Sequence, residues 1–327
     1  MSNKVIRWGI IGCGKIAHKF VQDLALVEDG ELIAVASRSL KKATDFKAQY
    51  SAKKAYGSYD NLFKDEDVDI VYIATPHTSH AELSIQAMES GKHVLCEKPL
   101  AINAANAQMM IDVSKKTNRF FMEALWTRFN PNILKAKEII DSGVIGEVEY
   151  INADFAFKFD GGIESRAVDL YLGGGALLDI GIYPAFLTYL LLGIPEKVIA
   201  TANFHKITKC DMQSAMIFAY PKAQAVLYSG FTTGSDMVAR ICGTEGQIYL
   251  HNTWHMAEGF TVIKDNSEEI FNKPLLGHGY TYEIIECHKC IRYGQIESQL
   301  WSHQNSLELI SILDKVRQQI GLKYPKE

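Results

Sequence analysis

A near-continuous apolar run, Val5 to Ile11, ends directly in Gly12-Cys13-Gly14-Lys15-Ile16-Ala17. A near-continuous apolar run of this length marks a central strand of a parallel sheet, buried on both faces. The G-x-G-x-x-A pattern then asks for a tight turn at Gly12, close backbone approach at Gly14 and a small residue at Ala17, where a helix packs back on the strand. The helix is expected over Ile16 to Leu26. Its first N–H groups and positive dipole end are free to meet a pyrophosphate. The turn is weak evidence alone and strong evidence in this place, after a strand and before a helix.

The same alternation continues. Glu31 to Ser37 reads as the second strand, and no carboxylate stands at its end to bind ribose hydroxyls, as an NAD site would require. Ser37-Arg38-Ser39, followed by Lys41 and Lys42, suits a 2′-phosphate and hence NADP. The alternative is that Arg38 stacks on adenine and both cofactors bind. Helices are expected over Ala43 to Tyr50 and Tyr59 to Phe63. The strand Asp69 to Ala74 runs into Thr75-Pro76-His77-Thr78-Ser79-His80, a loop suited to a nicotinamide ribose, and a helix follows from Ala81 to Ser90. His80 has a plainer alternative, as a helix cap or a hydrogen-bonded core histidine. Lys92 to Cys96 is the next strand, ending in Glu97-Lys98-Pro99. Ligands collect at the carboxyl ends of such strands, so Lys98 either faces a ligand or forms a surface ion pair with Glu97. A helix, Ala104 to Thr117, and a strand, Arg119 to Glu123, complete a doubly wound parallel α/β sheet in which Gly12, Thr75 and Lys98 border one crevice.

Beyond residue 123 the grammar changes. A helix, Ile133 to Ser142, precedes strand-like runs over Glu147–Phe157, Val198–His205, Ser214–Ala219, Ala223–Thr232, Met237–Cys242, Gly246–Leu250 and Phe260–Lys264. Their alternation predicts an α+β domain with an open-faced, mostly antiparallel sheet. Two domains follow, 1–123 and 124–327. The exception in the second is Leu172-Gly173-Gly174-Gly175-Ala176-Leu177-Leu178-Asp179-Ile180-Gly181-Ile182-Tyr183. The glycines let backbone approach a ligand or a neighbouring helix. A helix from about Ala176 sets Asp179 and Tyr183 on one face. It is either a packed core helix or a site. Tyr280 to Arg292 and Ser302 to Gln319 read as amphipathic helices, the last one able to pack back on the first domain, and Leu322 to Glu327 as a frayed tail.

With 34 basic and 38 acidic residues and a net charge of −4, the chain lacks the basic footprint of a nucleic-acid binder. Met1 to Arg7 carries no export-signal pattern, and Ala176 to Ile194 contains Asp179 and Pro184, so no membrane association is expected. Six scattered cysteines suit a reducing cytoplasm. Cys287 and Cys290 have no second pair to complete a zinc site, and His288 beside them has no evident partner. They are read as buried helix residues, and no metal is expected.

Gly12-x-Gly14-x-x-Ala17, Thr75-Pro76-x-x-x-His80, Glu97-Lys98-Pro99 and Glu123-x-x-x-x-Arg128-Phe129-x-Pro131 occur in this order. The set resembles the glucose–fructose oxidoreductase, inositol dehydrogenase and MocA family over nearly the whole chain. Trp126-Thr127-Arg128-Phe129 and Tyr183 make it most similar to the branch of dihydrodiol and D-xylose dehydrogenases. The resemblance implies a Rossmann domain and an NAD(P)-dependent oxidoreductase acting on CH–OH or CH–CH groups of a sugar, polyol or trans-dihydrodiol. It also implies a homodimer through the second sheet. A non-enzymatic NAD(P)-binding regulator of the same fold is the competing class. Cofactor contacts are implied for Gly12, Cys13, Gly14, Lys15, Ile16, Ser37, Arg38, Thr75, Pro76, His77, His80, Glu97 and Lys98. Tyr183 stands where many members carry histidine, and Pro184 and Phe186 replace the aspartates of inositol-type members, which argues against inositol. Free tyrosine has a pKa near ~10, so an ammonium at Lys98 would favour its ionised form. Tyr183 is then the acid/base, with Lys98 tuning it or carrying the proton, and Asp179 binding a hydroxyl or holding the helix. Trp126, Phe155, Trp254 and Tyr280 are pocket walls or ordinary core.

Overall fold

The computed structural model describes residues 5–325 and 327. The chain divides into two compact units, one formed by the residues through Ala101 with Ala105–Trp126 and Leu276–Ser306, the other by Ile102–Ala104, Thr127–Leu275 and Leu307 onward. In the first, six strands, β1 (Ile6–Ile11), β2 (Gly30–Ala36), β3 (Lys54–Tyr56), β4 (Ile70–Ile73), β5 (His93–Glu97) and β6 (Phe121–Ala124), form a parallel sheet of order β3-β2-β1-β4-β5-β6. Helices α1 (Lys15–Leu24), α2 (Leu40–Tyr50), α3 (Tyr59–Phe63), α4 (His80–Glu89) and α5 (Ala104–Thr117) connect them. The strand order reverses between β1 and β4, the switch point where such sheets bind ligands. Trp8, Ile10 and Ile11 have no exposed surface, as the near-continuous apolar run requires.

The second unit holds α6 (Pro131–Asp141), β7 (Val148–Ala156), α7 (Ile182–Leu192), and β8 (Lys197–Phe204) through β9 (Asp211–Ala219), β10 (Gln224–Gly230), β11 (Ala239–Gly243), β12 (Gln247–Leu250), β13 (Gly259–Lys264) and β14 (Ser267–Asn272). The sheet order is β14-β13-β12-β11-β7-β10-β9-β8. All neighbours pair antiparallel except β7 and β10, which run parallel. Along β10 the alternation sends Ala225 and Leu227 inward and leaves Gln224 and Val226 exposed. The helical stretch Leu170–Leu192, long and apolar enough to cross a membrane by composition, is largely a core element that packs on the inner face of β7, β9 and β10. It lies so close that a Cβ on Gly181 would come within 2.7 Å of the Ser229 hydroxyl.

Two further helices, α8 (Thr281–Arg292) and α9 (His303–Ile320), end the chain. Residues 276–306 pack with the first unit, not with the second where a boundary at residue 123 places them. The cause is polar. Asp23 on α1 is fully buried and accepts from the backbone N–H groups of His278 and Tyr280 at 2.8 Å each. The Trp8 indole N–H donates to His288 at 2.9 Å, and the other ring nitrogen of His288 faces Asp29 at 2.9 Å. His288 thus has two partners where none was evident, and Cys287 and Cys290 are buried. The expected frayed tail is also corrected. Leu322 and Tyr324 are each 4% exposed, and the Arg317 guanidinium lies 4.8 Å over the Tyr324 ring.

Asp211 opens β9 and caps the helical stretch that carries Asp179 and Tyr183. Its Oδ2 accepts from the Leu177 N–H at 2.6 Å. Gly175, at φ +129°, lies against the other oxygen, where a Cβ would come within 2.0 Å. A Cβ on Gly174 would meet the Arg166 carbonyl oxygen at 2.6 Å. Gly174 and Gly175, two of the glycines expected to admit a ligand or a second helix, therefore lie against the chain's own backbone and a carboxylate. Burial pushes Asp211 from its ordinary 3.8 up to about 6, against the lowering effect of the Leu177 N–H. A raised folded pKa means stability that is full below pH ~4 and falls as pH rises through about 6. Asp211→Asn keeps an acceptor for Leu177 and removes this titration. Between pH 4 and 7 the wild type should lose about 2–3 kcal/mol relative to the variant in urea unfolding. Parallel curves would show that Asp211 titrates normally.

Candidate active site

The first unit builds a dinucleotide cradle. Gly12 adopts φ +92°, and a Cβ there would fall 2.4 Å from the Ala74 carbonyl oxygen, so only glycine fits. At Gly14, the N-cap of α1, a Cβ would meet nothing within 4 Å. Open space thus lies in front of a helix terminus with no side-chain cap, and Cys13, Lys15 and Ile16 complete the turn. Ala17 is fully buried, as the close helix–strand packing demands. Burial pushes the Cys13 thiol up to about 11, so it stays uncharged beside the turn. At the end of β2, the Ser37 hydroxyl accepts from the Ser39 N–H at 3.3 Å, and the Arg38 side chain is exposed. Burial raises the pKa of Tyr59 on α3, while the Arg38 charge works in the opposite sense, which places that charge near the phenol. These residues fit an adenosine ribose carrying a 2′-phosphate: a cation, a hydroxyl and no carboxylate.

The loops after β4 and β5 are stitched together. His80 has no exposed surface, and its ring nitrogens lie 2.9 Å from the Pro99 carbonyl oxygen and 3.0 Å from that of Thr75. It is a hydrogen-bonded core histidine that also fixes both loops. A neutral ring can donate to only one of two carbonyls. Ser79 Oγ donates to the Pro76 carbonyl at 2.7 Å, and His77, nearly buried, packs edge-on to His80. Glu97 accepts from the Tyr72 hydroxyl and from the Lys98 N–H, the latter at 3.2 Å. The Lys98–Pro99 peptide is cis, and the Leu100 N–H that follows donates to Glu123 at 2.8 Å. Glu123 also accepts from the Trp301 indole at 3.0 Å and the Ser306 hydroxyl at 2.7 Å. Half-buried Lys98 therefore sits between two anchored neighbours. Glu283 on α8 is fully buried with no hydrogen-bond partner among the described residues; burial, then Glu97 and Asp23, push its carboxyl well above the ordinary range and favour the protonated form. Trp126 and Tyr280 pack together, ring centroids 5.0 Å apart.

In the second unit, a π turn, Leu177–Gly181, interrupts the expected regular helix, holding Asp179 just ahead of α7 and Tyr183 in its first turn. Such turns recur at functional sites. Tyr183 is 5% exposed, and its ring centroid lies 5.4 Å from both Phe155 and His255. Phe155 in turn stacks on His255 at 4.0 Å. Trp254 is not part of this wall. It is fully buried and donates its indole N–H to the Asp154 carbonyl at 2.8 Å, which turns the next residue, His255, toward Tyr183. The His255 carbonyl is fixed by the Thr127 hydroxyl at 2.7 Å. Arg166 approaches Asp179 at 3.6 Å. Sequence reasoning passed over both His255 and Arg166; the neighbouring Trp254 was the only signal for the first, and the second had none. Among the described residues no cluster of His, Cys, Asp and Glu is fit to hold a metal.

Comparison with known proteins finds two family descriptions along the chain. The description "Oxidoreductase family, NAD-binding Rossmann fold" fits residues 6–125, and "GFO/IDH/MocA C-terminal domain" fits residues 133–249. A trans-1,2-dihydrobenzene-1,2-diol dehydrogenase of Xenopus tropicalis is 38% identical over 98% of this chain and 99% of its own. A D-xylose 1-dehydrogenase (NADP(+)) of Hypocrea jecorina is 32% identical over 98% of this chain and 93% of its own. Among solved structures, a 3-ketoreductase from Actinomadura kijaniata in complex with NADP superposes with a TM-score of 0.88 at 25% identity, covering 97% of this chain and 98% of that one. With a switch-point glycine cradle, an anchored Glu97-Lys98-Pro99 loop and full-length relatives, the chain belongs to the GFO/IDH/MocA family of NAD(P)-dependent oxidoreductases.

Proposed function

We propose that the protein is an NADP-preferring dehydrogenase that oxidises a CH–OH group of a trans-dihydrodiol or an aldose. Tyr183 carries the reading: a nearly buried phenol following Asp179 on one helical stretch, walled by Phe155 and His255. The full-length relatives named for dihydrodiol and D-xylose support the substrate class. Oxidation of a carbinol requires an acceptor for its hydride and one for its hydroxyl proton. Bound NADP supplies the first at its nicotinamide ring. Tyr183 takes the proton, and Lys98 favours the ionised phenol or carries the proton itself. Glu97 orients Lys98 through its N–H. Asp179 accepts from a second substrate hydroxyl. Trp126, Phe155 and Tyr280 offer flat apolar faces suited to a sugar ring or an arene diol. A regulator of the same fold would have no need of Lys98 or Tyr183, and both are present. Six unpaired cysteines support a cytoplasmic location.

A homodimer through the second sheet is part of the proposal. Ile199 pairs with Ile217, and Ile217 with Val226, across three neighbouring strands, and these side chains are 45%, 39% and 40% exposed. Such an apolar row on an open sheet face supports a docking role for that face.

Tyr183→Phe should lower turnover by about 10²–10⁴-fold with NADP binding near wild type. Unchanged turnover would remove Tyr183 from the chemistry. Arg38→Ala should weaken NADPH binding and spare NADH; equal losses for both would reduce Arg38 to a stacking partner. Ile217→Glu should convert a dimer to a monomer in light scattering, and a wild type already monomeric would dismiss the interface. The substrate class is tested by following NADP and NAD reduction across aldoses, inositols and trans-arene diols. Cofactor binding without turnover of any of them would favour the regulator.

A further inference from the structure

We propose that Arg166 is a specificity-determining residue, forming with Asp179 a hydrogen-bond clamp that selects neutral substrates bearing two adjacent hydroxyls. The inference deepens the dehydrogenase reading and rests on it for placing the reacting carbinol at Tyr183. Arg166 opens a short 3₁₀ turn, Arg166–Val168, capped by Ser165, whose hydroxyl accepts from the Ala167 N–H at 3.3 Å. The turn is clamped to the glycine triplet: Gly175 N–H donates to the Ala167 carbonyl and Gly174 N–H to that of Asp169, each at 2.8 Å. No side chain fits at Gly174, where a Cβ would lie 2.6 Å from the Arg166 carbonyl oxygen. The backbone that carries Arg166 is therefore tied to the segment that leads into Asp179 and Tyr183.

The side chains show what this geometry is for. Arg166 Nη2 lies 3.6 Å from Asp179 Oδ1, longer than a hydrogen bond, and the Arg166 side chain is 50% exposed against 17% for Asp179. Among the described residues the guanidinium makes no hydrogen bond, so its five donors remain for a ligand. The pair as a whole is neutral. An anionic substrate group that reached Arg166 would also meet the Asp179 carboxylate, a like charge. Two adjacent hydroxyls suit both partners, one donating to Asp179 while the oxygen of the other accepts from Arg166. Asp169 Oδ1 accepts from the Tyr171 N–H at 2.8 Å, and among the described residues the guanidinium is ion-paired to Asp179.

The test is equilibrium binding to NADP-saturated protein by calorimetry, with trans-cyclohexane-1,2-diol, cyclohexanol, D-xylose and D-glucuronate as probes. Arg166→Met keeps the alkyl stem and removes the donors; Arg166→Lys restores one charge and part of the hydrogen bonding. The clamp predicts that Arg166→Met weakens the diol and xylose by about 10- to 100-fold, leaves cyclohexanol within about twofold, and is partly rescued by lysine. Equal loss for diol and mono-alcohol, no loss at all, or tighter binding of the uronate than of xylose would overturn it. Turnover measured in parallel separates the two claims. Arg166-dependent diol binding without oxidation sinks the dehydrogenase reading and keeps the clamp. Oxidation with a diol preference that survives in Arg166→Met sinks the clamp alone.

Discussion

A carboxylate taken out of water is costly unless donors surround it, and this chain uses that requirement to bring distant segments together. Glu123 is the clearest case. Its two oxygens collect an N–H from Leu100, an indole from Trp301 and a hydroxyl from Ser306. One side chain thus ties the end of β6 to the loop bearing Lys98 and to the approach to α9. Asp23 performs the same service for the segment before α8, and Asp211 for the helix of Tyr183. Removing the donors from any of them would leave a buried charge with little compensation, which costs more than the lost bonds alone.

These knots also explain what could be read in advance. The parallel sheet was legible because burial on both faces leaves a near-continuous apolar record, as in Trp8, Ile10 and Ile11. The antiparallel sheet was legible wherever one face is dry, as in β10. The two strands that escaped are short or edge elements. β3 spans three residues, and β14 reads Ser-Glu-Glu-Ile-Phe-Asn, charged and exposed as edge strands often are. Neither bears an alternation strong enough to see. The return of residues 276–306 to the first unit was invisible for another reason. It depends on contacts such as Trp8 to His288, separated by 280 positions, and local periodicity carries no information at that range.

The candidate site divides along the same line. Lys98, Asp179 and Tyr183 could be named because they stand at positions that match the family's motifs; their own surroundings left an ion pair and a packed core helix open. Trp254, a pocket wall or ordinary core by sequence, is core, while the smaller His255 beside it stacks on Phe155. A histidine's surroundings come from the fold, here from Thr127 and Asp154, and are not written around it. Arg166 lies in a segment without periodicity and acquires its place only when the glycine triplet closes over its backbone.

The parallel pairing of β7 and β10, the exception in the second sheet, has an evolutionary consequence. Parallel neighbours end at the same edge, so the chain leaves both strands on one side. From β7 it departs into the segment that leads to Arg166 and Asp179, and from β10 into the stretch after Gly230. Insertions in either exit remodel one shared rim while the sheet and its exposed opposite face stay intact. A descendant of this fold can change what it grips by lengthening two neighbouring loops, with no renegotiation of the core.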